Sequence, residues 1–157
     1  MATEMHARRI YEAFKIWLDS KNFRYDPHDD ELVISMTVRG EDLPQPTLVR
    51  VLDDRDVVQI LSPIPGNIPE DKRMEVAVAV SVANYGLVNG SFDFDISDGE
   101  VRYRVCQSFK DTEFSQELIA YLMNVVFFTT DKYNDKFFML GKGMMTLENF
   151  IAQEKGN

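Results

Sequence analysis

Cysteine is nearly absent: Cys106 is the one thiol in 157 residues. A single thiol excludes an internal disulfide and suits a reducing compartment, the cytoplasm. Histidine occurs twice, as His6 and His28, and neither lies in an HxxxH or Cys-His spacing, so no zinc site is written in the chain. Cationic side chains are scarce as well. Against 26 Asp and Glu there are 17 Lys and Arg, which leaves a formal net charge of -9. A surface of that sign repels phosphate backbones and anionic lipids, so nucleic acid and membrane are not the expected partners. Another protein, through a cationic or amphipathic segment, is the more compatible one. Long apolar runs are missing too. The longest charge-free stretch, Val76 to Phe92, is short for a bilayer and broken by Asn84, Gly86, Asn89 and Gly90. Glu4, Arg8, Arg9 and Glu12 crowd the first turns and no apolar signal core follows them, so no secretory signal is expected.

What is present is an ordinary folded-protein composition, 45% hydrophobic and 27% charged. A chain of this length buries about two-thirds of its unfolded surface, enough to fold without metal or disulfide. No repeat or linker interrupts it. The expectation is one domain over residues 1–157, with a core over about 5–140 and a C-terminal helical extension over 141–157.

Periodicity supplies the elements. Ile10, Phe14, Trp17 and Leu18 recur at helical spacing, which predicts a core-facing helix over Thr3–Asp19 with Thr3 as its N-cap. After polar residues around Asp26–Asp30, which read as a turn, Leu32, Ile34, Met36 and Val38 alternate with Val33, Ser35, Thr37 and Arg39, the period of a strand. Pro44 and Pro46 interrupt the pattern, and Thr47–Leu52 and Val57–Ser62 complete a three-stranded meander. Pro69 opens a second helix, with Glu70 and Asp71 near its positive end, running to Tyr85 with Gly86 as C-cap. This helix is apolar nearly all round, so it must be covered on more than one side. Two covers are open: the chain's own sheet and helices, or those together with a second copy. Its small residues Ala77, Ala79, Ser81 and Ala83 permit close approach in either case.

Ser91–Ile96 alternates strictly, Asp98-Gly99 reads as a type I′ turn, and Val101, Tyr103 and Val105 alternate with Arg102, Arg104 and Cys106. Closing the turn at Ser97 and Glu100 sets Ile96 opposite Val101, Phe94 opposite Tyr103 and Phe92 opposite Val105. On the other face Asp95 meets Arg102 and Asp93 meets Arg104. A long helix follows over about Ser115–Lys136, capped by Ser115. The stretch Phe137–Met145 is broken by Gly141 and Gly143, and Thr146 caps a short last helix carrying Leu147, Phe150 and Ile151. The fold class is therefore α+β, in the order α-βββ-α-ββ-α.

Chemistry is hard to find. Asp93, Asp95 and Ser97 imitate the start of a calcium loop, but Asp98 stands where its glycine should be and Arg104 where its last glutamate should be. Gly141-Lys142-Gly143 lacks the upstream glycine and the hydroxyl residue of a phosphate loop. Cys106 shares a strand face with Arg102 and Arg104, yet the sequence places no histidine base beside it. The acids Asp29, Asp30, Asp53, Asp54 and Asp56 read as solvated turn residues. No catalytic residue, metal site or cofactor site is expected, and the chain is not expected to be an enzyme.

The run from Asn84-Tyr85 through Gly90-Ser91-Phe92-Asp93-Phe94-Asp95 and Asp98-Gly99-Glu100-Val101-Arg102-Tyr103 resembles the central signature of the YbjN family. The Ser115-Gln116-Glu117-Leu118 helix start and the upstream helix and three strands fit it as well, so the resemblance covers roughly Ile10 to Leu140. It implies a bacterial protein of a family described as candidate sensory-transduction regulators. It also implies the fold of type III secretion chaperones, commonly dimeric, and it brings no catalytic residues with it. The expected function is a non-catalytic, homodimeric protein-binding module, chaperone-like or regulatory. Val76, Ala77, Val80, Ala83 and Asn84 of the second helix form the expected dimer or partner face. The alternative is a small-molecule sensor or enzyme with an aromatic-lined pocket.

Overall fold

A computed structural model describes residues 2–156. Its elements are α1 (Ala2–Ser20), β1 (Asp26–His28), β2 (Val33–Arg39), β3 (Pro44–Leu52), β4 (Val57–Pro63), α2 (Arg73–Tyr85), β5 (Ser91–Asp95), β6 (Glu100–Ser108), α3 (Gln116–Gly141) and α4 (Leu147–Lys155). A single 3-10 turn, Glu70–Lys72, leads into α2. The six strands form one antiparallel sheet in the order β1-β2-β3-β4-β6-β5. This is the α+β class that the periodicities indicate, with one strand more than expected.

The alternation of each strand decides which side of the sheet is covered. Ile34 and Met36, Val49 and Val51, Val58 and Ile60, and Val101, Tyr103 and Val105 are buried and face α1 and α3. Ile10, Phe14, Trp17 and Leu18 of α1 meet them, as do Ile119, Leu122, Met123 and Val126 of α3. α2 packs on β5, α3 and α4 at one end of this layer. Leu61 lies on the opposite face and is outside that core.

Five departures from the sequence reading have physical causes. β1 occupies the stretch read as a turn: Asp26, Pro27 and His28 pair with Ser35, Ile34 and Val33, too briefly to show a period. Thr3 lies inside α1 and does not cap it. Pro44 and Pro46 belong to β3, where pairing with β4 has not yet begun, an edge-like stretch that tolerates a missing N–H. α3 continues to Gly141 because Phe137, Leu140 and Gly141 keep the inward helical phase.

The fifth departure is the β5–β6 hairpin. Its register sets Asp95 opposite Glu100, Phe94 opposite Val101, Phe92 opposite Tyr103 and Asp93 opposite Arg102, two residues from the expected pairing. The loop holds four residues because three side chains and a glycine close it. The Asp95 carboxylate accepts from both the backbone N and the Oγ of Ser97, at 2.9 and 2.6 Å. The Asp98 carboxylate accepts from Glu100 N at 2.9 Å. Gly99, at φ 84, donates to Asp95 O at 2.8 Å, and its carbonyl accepts from Ile68 N. A slip of two preserves both faces, so the alternation alone does not reveal it.

α4 is part of the core. Phe150 is buried against Phe137 and Tyr133, with ring centroids at 5.7 and 6.4 Å. Tyr133 Oη donates to Glu154 at 2.7 Å, and burial followed by that carboxylate holds the Tyr133 phenol well above its usual range.

Candidate partner-binding surface

α2 is fixed to the β5–β6 hairpin at both ends. At its start the Arg73 guanidinium donates to the carbonyls of Ile68, Ile96 and Ser97, at 3.0, 3.3 and 3.1 Å. At its end Asn84 takes both backbone groups of Phe92: Phe92 N donates to Oδ1 at 2.7 Å, and Nδ2 donates to Phe92 O at 3.0 Å. The loop that follows is tied down by Tyr103, whose hydroxyl donates to Asn89 O at 2.6 Å. Gly90 is required there, because at φ 71 any Cβ would collide with the Tyr103 ring.

These anchors set the rotation of α2. Val76, Ala79, Val80 and Ala83 point inward and are buried. Three residues of the expected partner face, Val76, Val80 and Ala83, are therefore occupied by the chain's own core. Ala77 is half-buried, and so is Asn84, whose amide is engaged with Phe92. The outward positions are Met74, Val78, Ser81 and Tyr85, spaced by three or four residues as one helical stripe. Met74 is 70% exposed and Tyr85 95%. Val88, in the next loop, is 100% exposed. Asn89 Nδ2 donates to the Tyr121 hydroxyl at 3.5 Å, which brings α3 alongside, and Tyr121 and Phe128 on its outer side are exposed too.

Sequence reasoning missed these outward residues because nearly every position of α2 is apolar, so the period carries no phase. One signal was available. Ser81 is a lone hydroxyl among valines and alanines, and it marks the outward side.

The sheet edges are both blunted. Asn84 occupies the outer backbone groups of β5 at Phe92, and β1 is short, exposed and interrupted by Pro27. The aromatic interior is filled by its own rings: Phe92 lies 5.1, 5.4 and 5.0 Å from Tyr103, Tyr133 and Phe137. Cys106 is exposed, with Gln59 Nε2 at 3.9 Å and an Arg104 Nη at 4.0 Å. His6 on α1 and His28 on β1 have different partners, the Thr112 carbonyl at 2.6 Å and the Ser35 hydroxyl at 3.2 Å. Among the described residues no three His, Cys, Asp or Glu side chains gather as a metal site, and no helix is long and apolar enough to cross a membrane.

No protein-family model matches the chain, and none of the curated proteins matches it. Among solved structures it is similar to the crystal structure of YbjN, a candidate transcription regulator from E. coli, with a TM-score of 0.57. The match covers 80% of this chain and 92% of that one at 10% sequence identity. The fold is YbjN-like.

Proposed function

We propose that this chain is a non-catalytic protein-binding module, chaperone-like or regulatory, which pairs with a second copy along the outward stripe of α2. The observation that carries the reading is the row Met74, Val78 and Tyr85 on one side of α2, with Val88 in the loop that follows and Tyr121 on α3 exposed as well. Contiguous exposed apolar surface on a folded chain marks an interaction site. Ala77 and Ser81 keep the middle of the stripe low, so a second helix can lie close. The YbjN-like fold supports a regulatory or binding role, since the neighbour is described as a candidate transcription regulator. The packed aromatic interior gives the pocket alternative no comparable support.

The test is native purification of the tagged protein from its own cells, analysed by mass spectrometry for proteins and small molecules together. A stoichiometric protein partner is expected. A bound metabolite with no protein partner would overturn the proposal.

A further inference from the structure

Every helix of the described residues packs on one side of the sheet, so the other side is bare. Its central strands carry a short apolar strip. Leu48 of β3 pairs with Leu61 of β4, and Pro46 and Pro63 flank them. Leu61 is 4% exposed although no helix covers it, and its cross-strand partners are Leu48 and Arg104, so Leu48 is the leucine of this strip that a partner reaches.

The charges on this face are arranged in a pattern opposite to that of the whole molecule. No strand contains a lysine, and the four strand arginines, Arg39, Arg50, Arg102 and Arg104, all occupy bare-face positions. The acids of this face lie at its margins: Asp26 on the edge strand β1, Asp93 and Asp95 on the edge strand β5, and Glu100 at the hairpin end of β6. Asp93 engages two of these arginines: it accepts from Arg102 Nε at 3.2 Å and from Arg104 Nε and Nη2 at 2.7 and 3.1 Å. Arg50 is exposed, and its contact is the neutral Gln59 amide at 3.4 Å. The centre thus presents the Arg50 guanidinium, with no carboxylate on it among the described residues, beside Leu48, on a chain of net charge -9.

We infer that this bare face docks an acidic, amphipathic segment of a partner protein, with an apolar side chain over Leu48 and a carboxylate on Arg50. The inference rests on the protein-binding reading and deepens it by naming a second surface and its partner's chemistry. Guanidinium groups pair with carboxylates in a two-pronged geometry that a point charge does not offer. Long-range repulsion from the acidic remainder is screened beyond about 8 Å at physiological salt, so the local arginines decide the contact. The net charge alone points to a cationic partner, and this face selects the opposite.

The probe is a synthetic peptide alternating leucine and glutamate, compared with its leucine-lysine counterpart and with inorganic polyphosphate. Binding is followed on the full chain by backbone amide shifts. The glutamate peptide should move the amides of Leu48, Gln59, Leu61 and Arg104. Arg50→Glu should weaken it about tenfold or more, since a charge contact becomes a repulsion. Lys132→Glu, the same charge change on an exposed α3 residue behind the sheet, should change affinity by no more than about twofold. Equal binding of the lysine peptide, or equal binding of polyphosphate with the same shifts, overturns the inference. So does a second copy occupying these amides without peptide. Shifts confined to Val78, Tyr85 and Val88 overturn it while leaving the protein-binding reading in place.

Discussion

Asn84 holds Phe92 by both of that residue's backbone groups, at 2.7 and 3.0 Å, so a helix side chain stands where another strand would pair. The contact closes the β5 edge and sets the rotation of α2, which in turn decides which apolar residues face out.

Replacing Asn84 with Leu removes two hydrogen bonds and leaves the Phe92 N–H and C=O unpaired. Each orphaned buried group costs about 1–3 kcal/mol, so Asn84→Leu should lower stability by about 2–6 kcal/mol. Urea denaturation measures it. Because the freed edge is a template for pairing, the variant should also aggregate faster than the wild type on refolding.

The legibility of the fold follows the same divide between pattern and phase. Period-two alternation in Phe92, Phe94, Val101, Tyr103 and Val105 assigned each residue to its correct face. The same alternation cannot distinguish registers that differ by two, and Asp95, bonded to Ser97, chose the longer loop. In α2 the period gave a helix but no orientation, because that was fixed by Arg73 and Asn84 acting on distant backbone. Alternation showed that each strand has one buried face, but not that the opposite faces of β3, β4 and β6 would bring Leu48, Leu61 and Arg104 together, because that depends on the strand order and register. Phe150 was legible as apolar, but its place in the core depends on α3 continuing past Lys136 to Phe137.

Truncating Phe150 tests that last contact. Phe150→Ala should cost about 3–5 kcal/mol, the range for emptying a buried aromatic site. The same variant should release the Tyr133–Glu154 hydrogen bond, which amide hydrogen exchange over α4 would register as lost protection. Unchanged protection there would show that α4 does not depend on this ring.

Asp93 sits between Arg102 and Arg104 on a partly exposed face, so its ion pairs are solvent-screened. Asp93→Asn should cost about 1 kcal/mol at low salt, and less as salt is raised. Thermal unfolding over a salt series reads both.

Asp135 on α3 has its carboxyl pushed above the usual range, first by burial and then by Asp42. Its folded form therefore holds the proton more tightly than its unfolded form, so its charge opposes folding. The penalty appears as pH rises through the unfolded pKa and is complete above the folded one. Asp135→Asn should raise the melting temperature at pH 7 and have little effect well below the carboxylate range. A drop at pH 7 would show that the charge has a favourable partner.

The most direct test of the account is sedimentation velocity of the wild type and of Val78→Lys over a micromolar concentration series. Val78 is outward on α2 and 45% exposed, so lysine there leaves the core intact. The account predicts a wild-type dimer at high micromolar concentration and a folded monomer for Val78→Lys. A wild type that stays monomeric throughout, or a variant that dimerises as well as the wild type, would contradict it.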